Sequence, residues 1–370
     1  GRSDAMKWTS LPGPSGFIEE VVQQVRQGMS VVVAAPCVAP AGWEDAFVDK
    51  LRDDRWHLQR VTVEMPEDPL RWLTEKLYLE PDQWVGWSVE KLCEHLSSGQ
   101  VVAVDGVTAE TWEAWRTFLR DFEVASRQRA SDERPMLLVF VRGVARKRLQ
   151  LSGAALALRT WIGVFGELDT LIYVDQRIRL QRKPARHHKL LVRLVSALAL
   201  WDIELADYLA DQPERDVFEA EATLKRGRRD LGRSNATLGQ EWEQGGIDKY
   251  DGVDLLHAFV LMDRGDQGGE LRRRLWAAQA AELLPQIEMR RRALAQGLDR
   301  HIPCPFWLDG KRKIQSLGEL EIGSLAYATQ THGIQGELRV RAEWLASCRN
   351  TLAHLRLLSG SDALDARLYE

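Results

Sequence analysis

Ser30-Val31-Val32-Val33-Ala34-Ala35 is an unbroken apolar run that passes straight into Pro36-Cys37-Val38-Ala39-Pro40-Ala41-Gly42, after which Trp43–Arg52 shows helical spacing. A short run of β-branched residues without alternation reads as a strand buried on both faces, the usual condition in a parallel sheet. Further β-rich runs follow at Leu58–Val63, at Val101–Val104 with Asp105 after it, at Met136–Val141 and at Leu171–Val174. Amphipathic stretches at Pro69–Tyr78, Ser88–Leu96 and Ala109–Phe122 lie between them. Strands alternating with helices predict a five-stranded parallel sheet with crossover helices, an α/β first half.

The order of these elements resembles the additional-strand class of P-loop NTPases, which includes the AAA and STAND ATPases. The resemblance implies a phosphate loop after the first strand, a Walker B acid after the third and a sensor after the fourth. The loop departs from G-x-x-x-x-G-K-[ST] where the chemistry lies: Ala41 stands in the Lys place, Pro40 removes a donor N–H and Gly42 replaces the hydroxyl residue. Asp105 stands at the Walker B-like position, but Gly106 follows where the catalytic Glu is expected. Arg142 falls at the sensor position. The expectation is an NTPase-like scaffold that has lost hydrolysis, with no bound cofactor.

At 370 residues, the chain is predicted to hold two domains. With 45% hydrophobic and 28% charged residues it is neither a disordered nor a membrane-spanning composition. Gly1 to Ala5 read as a cloning remnant before Met6, no secretory signal follows, and a cytoplasmic location is expected. Cys37, Cys93, Cys304 and Cys348 are too scattered for a disulfide framework or zinc ribbon and are expected to be small buried side chains. The 14 tryptophans are spread along the chain and are expected to be core anchors.

The net charge of −4 exerts no overall pull on nucleic acid. Residues 151–200, however, carry 8 Lys and Arg against 3 Asp and Glu. Arg177, Arg179, Arg182, Lys183, Arg186 and Lys189, with Arg193 beyond them, follow one another without an acid and form a candidate RNA-binding segment, the alternative being a solvated helix face. Arg142, Arg146, Lys147 and Arg148 form a smaller basic cluster.

From about Leu190 onward strand patterns vanish and helices are expected: Glu270–Leu298 with a kink at Pro285, then helices near Leu317–Thr331 and Gln335–Leu358 after a loop from His301 to Lys313. The last helix contains Arg349-Asn350-Thr351-Leu352-Ala353-His354. This stretch, in an all-helical C-terminal setting, resembles the HEPN superfamily, whose ribonucleases carry R-x4-6-H on a four-helix bundle. R-x4-H alone is uninformative, because Arg52–His57 and Arg182–His187 match it too; the Asn and the helical setting distinguish Arg349–His354. The apolar side of that helix is expected to be Leu338, Leu345, Leu352 and Leu355.

The expected domains are residues 6–195, NTPase-like; 196–245, a helical linker; and 246–370, HEPN-like. The resemblance implies a homodimer whose catalytic residues Arg349, Asn350 and His354 cleave RNA without metal. Imidazole can shuttle protons to and from the ribose oxygens, and Arg can balance phosphate charge. Five residues apart on a helix is about 140° around the axis, so Arg349 and His354 diverge while Asn350 and His354 share a face. The implied setting is prokaryotic phage defence or a toxin–antitoxin pair, with RNA and other defence or antitoxin proteins as partners. The alternative is a non-enzymatic dimeric adaptor.

Overall fold

The computed structural model describes residues 7–52, 57–64, 68–79, 81, 84–182, 185–233 and 239–370. Lys183 and residues 1–6 lie outside these. The chain divides into two compact units that are interleaved in sequence. Unit 1 comprises Gly1–Tyr173, Leu200–Leu205 and Arg228–Val260; unit 2 comprises Val174–Ala199, Ala206–Gly227 and Leu261–Glu370.

In unit 1, strands β1 (Ser30–Ala35), β2 (Leu58–Thr62), β3 (Val101–Thr108), β4 (Met136–Arg142) and β5 (Leu156–Thr160) form a parallel sheet of order β2-β3-β4-β1-β5. The helices are α1 (Pro12–Arg26), α2 (Trp43–Arg52), α3 (Pro69–Lys76), α4 (Val89–His95), α5 (Trp112–Ser126) and the start of α6 (Glu167–Gln181). This arrangement fits a P-loop NTPase-like α/β fold. Alternate residues of β1 serve separate cores: Val31, Val33 and Ala35 pack with α1 and α2, and Val32 and Ala34 pack on the side of α3, α4 and α5. The α2 side is filled by Trp43, Phe47, Phe140 and Trp161, whose rings meet mostly edge to face.

The fifth strand is Leu156–Thr160; Leu171–Val174, expected to be a strand, lies inside α6. A four-residue apolar run does not by itself separate strand from buried helix. The acids Glu167 and Asp169 in the first turn mark the helix. Asp169 accepts the Gly13 N–H through Oδ1 (3.0 Å) and the Gly166 N–H through Oδ2 (2.9 Å), tying the starts of α1 and α6 together.

Strands also continue beyond Leu190, against expectation. In unit 1, β6 (Ile247–Tyr250) and β7 (Val253–Leu256) form an antiparallel hairpin, and in unit 2 so do β8 (Phe306–Leu308) and β9 (Arg312–Ile314), inside the expected loop. Both turn on Asp-Gly: Asp251-Gly252 and Asp309-Gly310 all have positive φ, which Gly adopts freely and Asp tolerates. Asp248 of β6 is buried and accepts the Gly163 N–H at 3.1 Å and the Lys249 N–H at 2.7 Å. Burial pushes its carboxyl up to about 7, against the pull of those N–H groups and Arg146.

A buried ion cluster holds the late segments of unit 1. Asp202 is paired with the Arg233 guanidinium, accepts the Leu205 N–H at 3.0 Å and meets His257 Nε2 at 2.9 Å. The Phe259 N–H donates to His257 Nδ1 at 3.1 Å, which makes Nε2 the protonated nitrogen and the ring neutral.

Unit 2 is helical: the end of α6, α7 (His188–Ala199), most of α8 (Ile203–Asp211), α9 (Glu214–Phe218), most of α10 (Ala220–Asp230), the end of α11 (Ala258–Asp263), α12 (Glu270–Leu298), α13 (Ile322–Thr331), α14 (Glu337–Ala353) and α15 (Gly360–Ala363). α12 packs on α7 and α14, and α13 packs on α14. Pro285 lies inside a helix that is continuous from Glu270 to Leu298. Leu345 and Leu352 are buried as expected and Leu338 is half-buried, but Leu355 is 59% exposed because α14 ends before it. Cys93 and Cys348 are buried, whereas Cys37 and Cys304 are exposed. Among the described residues no helix is long and apolar enough to cross a membrane.

Candidate functional site

The carboxyl ends of β1 to β4 bring together the residues expected at a nucleotide site. Three N–H groups in and just after the loop that follows β1 are spent within the protein: Cys37 N–H donates to the Glu243 carbonyl (2.9 Å), Ala39 N–H to Pro36 and Trp43 N–H to Pro40 (3.1 Å each). Pro36 and Pro40 have none to give. The first turn of α2, where a phosphate would meet a helix N-terminus, carries Glu44 and Asp45. Arg142 Nη2 donates to Glu44 at 2.8 Å and its guanidinium lies 5.8 Å from the Trp43 ring centroid.

Asp105 is buried, and Arg60 Nε donates to its Oδ2 at 2.5 Å while Arg60 Nη1 donates to Asp45 at 2.5 Å. Burial raises the Asp105 carboxyl above the ordinary range despite Arg60, and Glu44 and Asp45 add to the rise. Burial works against the Arg60 charge, but its bonds to Asp45 and Asp105 outweigh this and raise its pKa. Gly106 stands at a break in the β3–β4 register with φ +82°, and a Cβ there would lie 2.6 Å from the Val63 carbonyl oxygen. The backbone therefore has no room for the glutamate of an active NTPase at this position. Three carboxylates face two guanidiniums here, and each cation is already engaged. Such an edge opposes a nucleotide phosphate.

The second constellation is the end of α14. His354 caps the helix, and Leu355 follows with φ +58°. The Arg356 N–H donates to the Thr351 carbonyl (3.0 Å) and the Leu355 N–H to Leu352 (3.1 Å), the two bonds of a Schellman turn that usually has glycine at the left-handed residue. α12 holds both sides of this turn. Trp276 Nε1 donates to the Leu352 carbonyl at 2.7 Å, and buried Gln279 exchanges two hydrogen bonds with the Leu358 backbone (3.1 and 2.8 Å).

Asn350 and His354 line one open cavity of about 500 Å³, together with Ser347, Thr351, Gln330 and Arg356. No hydrogen bond or ion pair among the described residues engages the His354 ring. Arg349 is turned away, into a separate cavity of about 320 Å³, where it pairs with Glu321 at 3.6 Å near Arg291. Arg291 is fixed by the carbonyls of Gly318 (3.0 Å) and Leu320 (2.8 Å) and by Glu288 (2.6 Å). One chain thus joins Asn350 to His354 and separates both from Arg349. Sequence reasoning missed Arg356, Trp276 and Gln279; a basic residue just past a helix end was the available signal for the first, and the other two act across the fold.

The basic segment is largely neutralised within unit 2. Arg177 pairs with Asp207 (3.0 Å) and Asp211 (3.5 Å), and Arg179 with Asp175 (2.8 Å). Arg182 donates to the carbonyls of Ala210 (2.6 Å) and Gln212 (3.0 Å) and pairs with Glu214. His187 and His188 meet Glu214 and Asp175, and Arg193 meets Glu282. Arg186 and Lys189 are exposed, and no ion pair among the described residues involves either.

No protein-family model and no curated protein matches the sequence. Among solved structures, a Thermotoga maritima RuvB variant aligns at TM-score 0.28 and 10% identity, over 72% of this chain and 95% of that one. A structure of Drosophila ORC bound to DNA aligns at TM-score 0.31 and 14% identity, over 92% of this chain and 84% of that one.

Proposed function

We propose that the chain is a homodimeric, metal-independent ribonuclease of the HEPN type, joined to an NTPase-like unit that does not hydrolyse nucleotide. The observation that carries the reading is the placement of Asn350 and His354 in one open cavity, with the imidazole unengaged among the described residues; Glu343, which also lines the cavity, is held by Arg339 and Gln330. His354 exchanges a proton with the ribose 2′-oxygen or the leaving 5′-oxygen, and Asn350 orients the ring or the phosphate. Arg349 reaches the site from the second copy. The biological setting we propose is a defence or toxin–antitoxin system, in which unit 1 governs the ribonuclease.

Incubation of purified protein with RNA in EDTA tests this. His354→Ala is expected to lower cleavage by about 10²-fold or more, and Arg349→Ala to lower it as well; equal cleavage by all three proteins removes the proposal. The pairing of Arg349 with Glu321, away from His354, favours a second reading, a dimeric adaptor without enzymatic activity. A dimer that leaves RNA intact supports it.

A further inference from the structure

We infer that Arg356 is the cation that binds the scissile phosphodiester beside His354 of the same chain. The inference rests on the ribonuclease reading and deepens it by naming a catalytic residue that R-x4-6-H does not contain.

Cavity, backbone and charge converge on this residue. Arg356 lines the cavity that holds Asn350 and His354, whereas Arg349 lines the other. The left-handed Leu355 reverses the chain and the Arg356–Thr351 bond brings residue 356 back over the last turn of α14, where a continuing helix would have carried it away. A left-handed conformation is unfavourable for an L-residue, and here an exposed leucine adopts it between two anchors supplied by Trp276 and Gln279. No ion pair among the described residues involves Arg356, while Arg349 is held by Glu321.

In the cleavage step the 2′-oxygen forms a bond to phosphorus as the bond to the 5′-oxygen breaks. One proton leaves the 2′-hydroxyl and one reaches the 5′-oxygen, giving a 2′,3′-cyclic phosphate and a free 5′-hydroxyl with no change of oxidation state. His354 carries one of these protons and water or the second copy's imidazole the other. Arg356 forms no covalent bond; its guanidinium donates to the non-bridging oxygens as their charge grows.

The test uses the full chain with RNA in EDTA. Arg356→Gln is expected to lower kcat/KM by about 10²-fold with an unchanged melting temperature, and Arg356→Lys to restore part of the loss. Mixed dimers separate the chains: Arg349→Ala with Arg356→Gln regains activity, because one composite site is intact, whereas His354→Ala with Arg356→Gln does not, because those residues act in one chain. Unchanged cleavage by Arg356→Gln, or recovery in the second mixture, overturns the inference. Should wild type leave RNA intact, the ribonuclease reading fails by itself, and binding of a 2′-O-methyl oligonucleotide decides the rest. About tenfold weaker binding by Arg356→Gln, with Arg356→Lys close to wild type, upholds Arg356 as the phosphate contact; equal binding by Arg356→Gln and wild type removes it.

Discussion

Arg60 of β2 and Asp105 of β3 face each other across neighbouring strands, Nε to Oδ2 at 2.5 Å, and the same guanidinium reaches Asp45 of α2. The Walker B-like acid is thereby committed to a protein cation. Arg60→Gln leaves two carboxylates without their partner, and the expected loss is about 1.5–3 kcal/mol, the worth of hydrogen bonds to charged groups. Urea unfolding measures it, and no loss would show that the pair is ornamental. Neither wild type nor variant is expected to turn over ATP with Mg²⁺, since Gly106 and Ala41 remain as they are.

Asp248 supplies a pH dependence. Its folded pKa of about 7 lies above that of an unfolded aspartate, so between the two values the folded state holds the extra proton and stability falls as pH rises. Asp248→Asn keeps an acceptor for the Gly163 N–H and removes the titration. The difference in urea midpoint between variant and wild type should therefore shift toward the variant from about pH 4 to pH 7 and level off above. A difference independent of pH would refute the assignment.

The internal pairing of Arg177, Arg179 and Arg182 limits what the basic segment offers to RNA. Replacing Arg186 and Lys189 together by Gln is expected to reduce the slope of log affinity against log salt by about 1.4, two single-strand phosphates' worth. Replacing Arg177 and Arg179 leaves the slope unchanged and lowers stability instead. A titration in which all four behave alike contradicts this division.

Leu355→Gly relieves the left-handed strain at the end of α14, at the cost of chain entropy. A net gain of about 0.5–1 kcal/mol is expected from the two opposing terms. A lower melting temperature would mean that the half-exposed leucine packs more tightly than its exposure implies.

Much of the fold was legible because burial leaves a plain mark. β1, β3 and β4 sit in the sheet at the positions their apolar runs indicated, β2 was marked only by its β-branched Val61 and Thr62, and Trp43–Arg52 and Glu270–Leu298 are helices with the expected bounds. β5 was hidden because it is a half-buried edge strand carrying Arg159, with no continuous apolar run. Its place was given to Leu171–Val174, equally apolar but helical. The hairpins carried a local signal, Asp-Gly at Asp251-Gly252 and Asp309-Gly310, that went unweighed against the surrounding helices. At the candidate site, helical geometry separated Arg349 from the Asn350–His354 face. Arg356 escaped because the helix was expected to run on to Leu358, whereas it ends at Ala353 and the left-handed Leu355 turns Arg356 back. The neutral pairing of the basic segment was equally hidden, since Asp207, Asp211 and Glu214 lie some 30 residues further along.

The chain passes between the two units five times before settling into the second. Asp202, Arg233, Trp242 and Tyr250 are all buried parts of unit 1 that lie beyond residue 195. During synthesis from the N-terminus, unit 1 stays open until the ribosome has passed residue 260, by which time α7 to α10 have also emerged. α14, which carries Arg349 and ends at His354, is made later still. A nascent chain therefore has every residue of unit 1 in hand before the end of α14 exists.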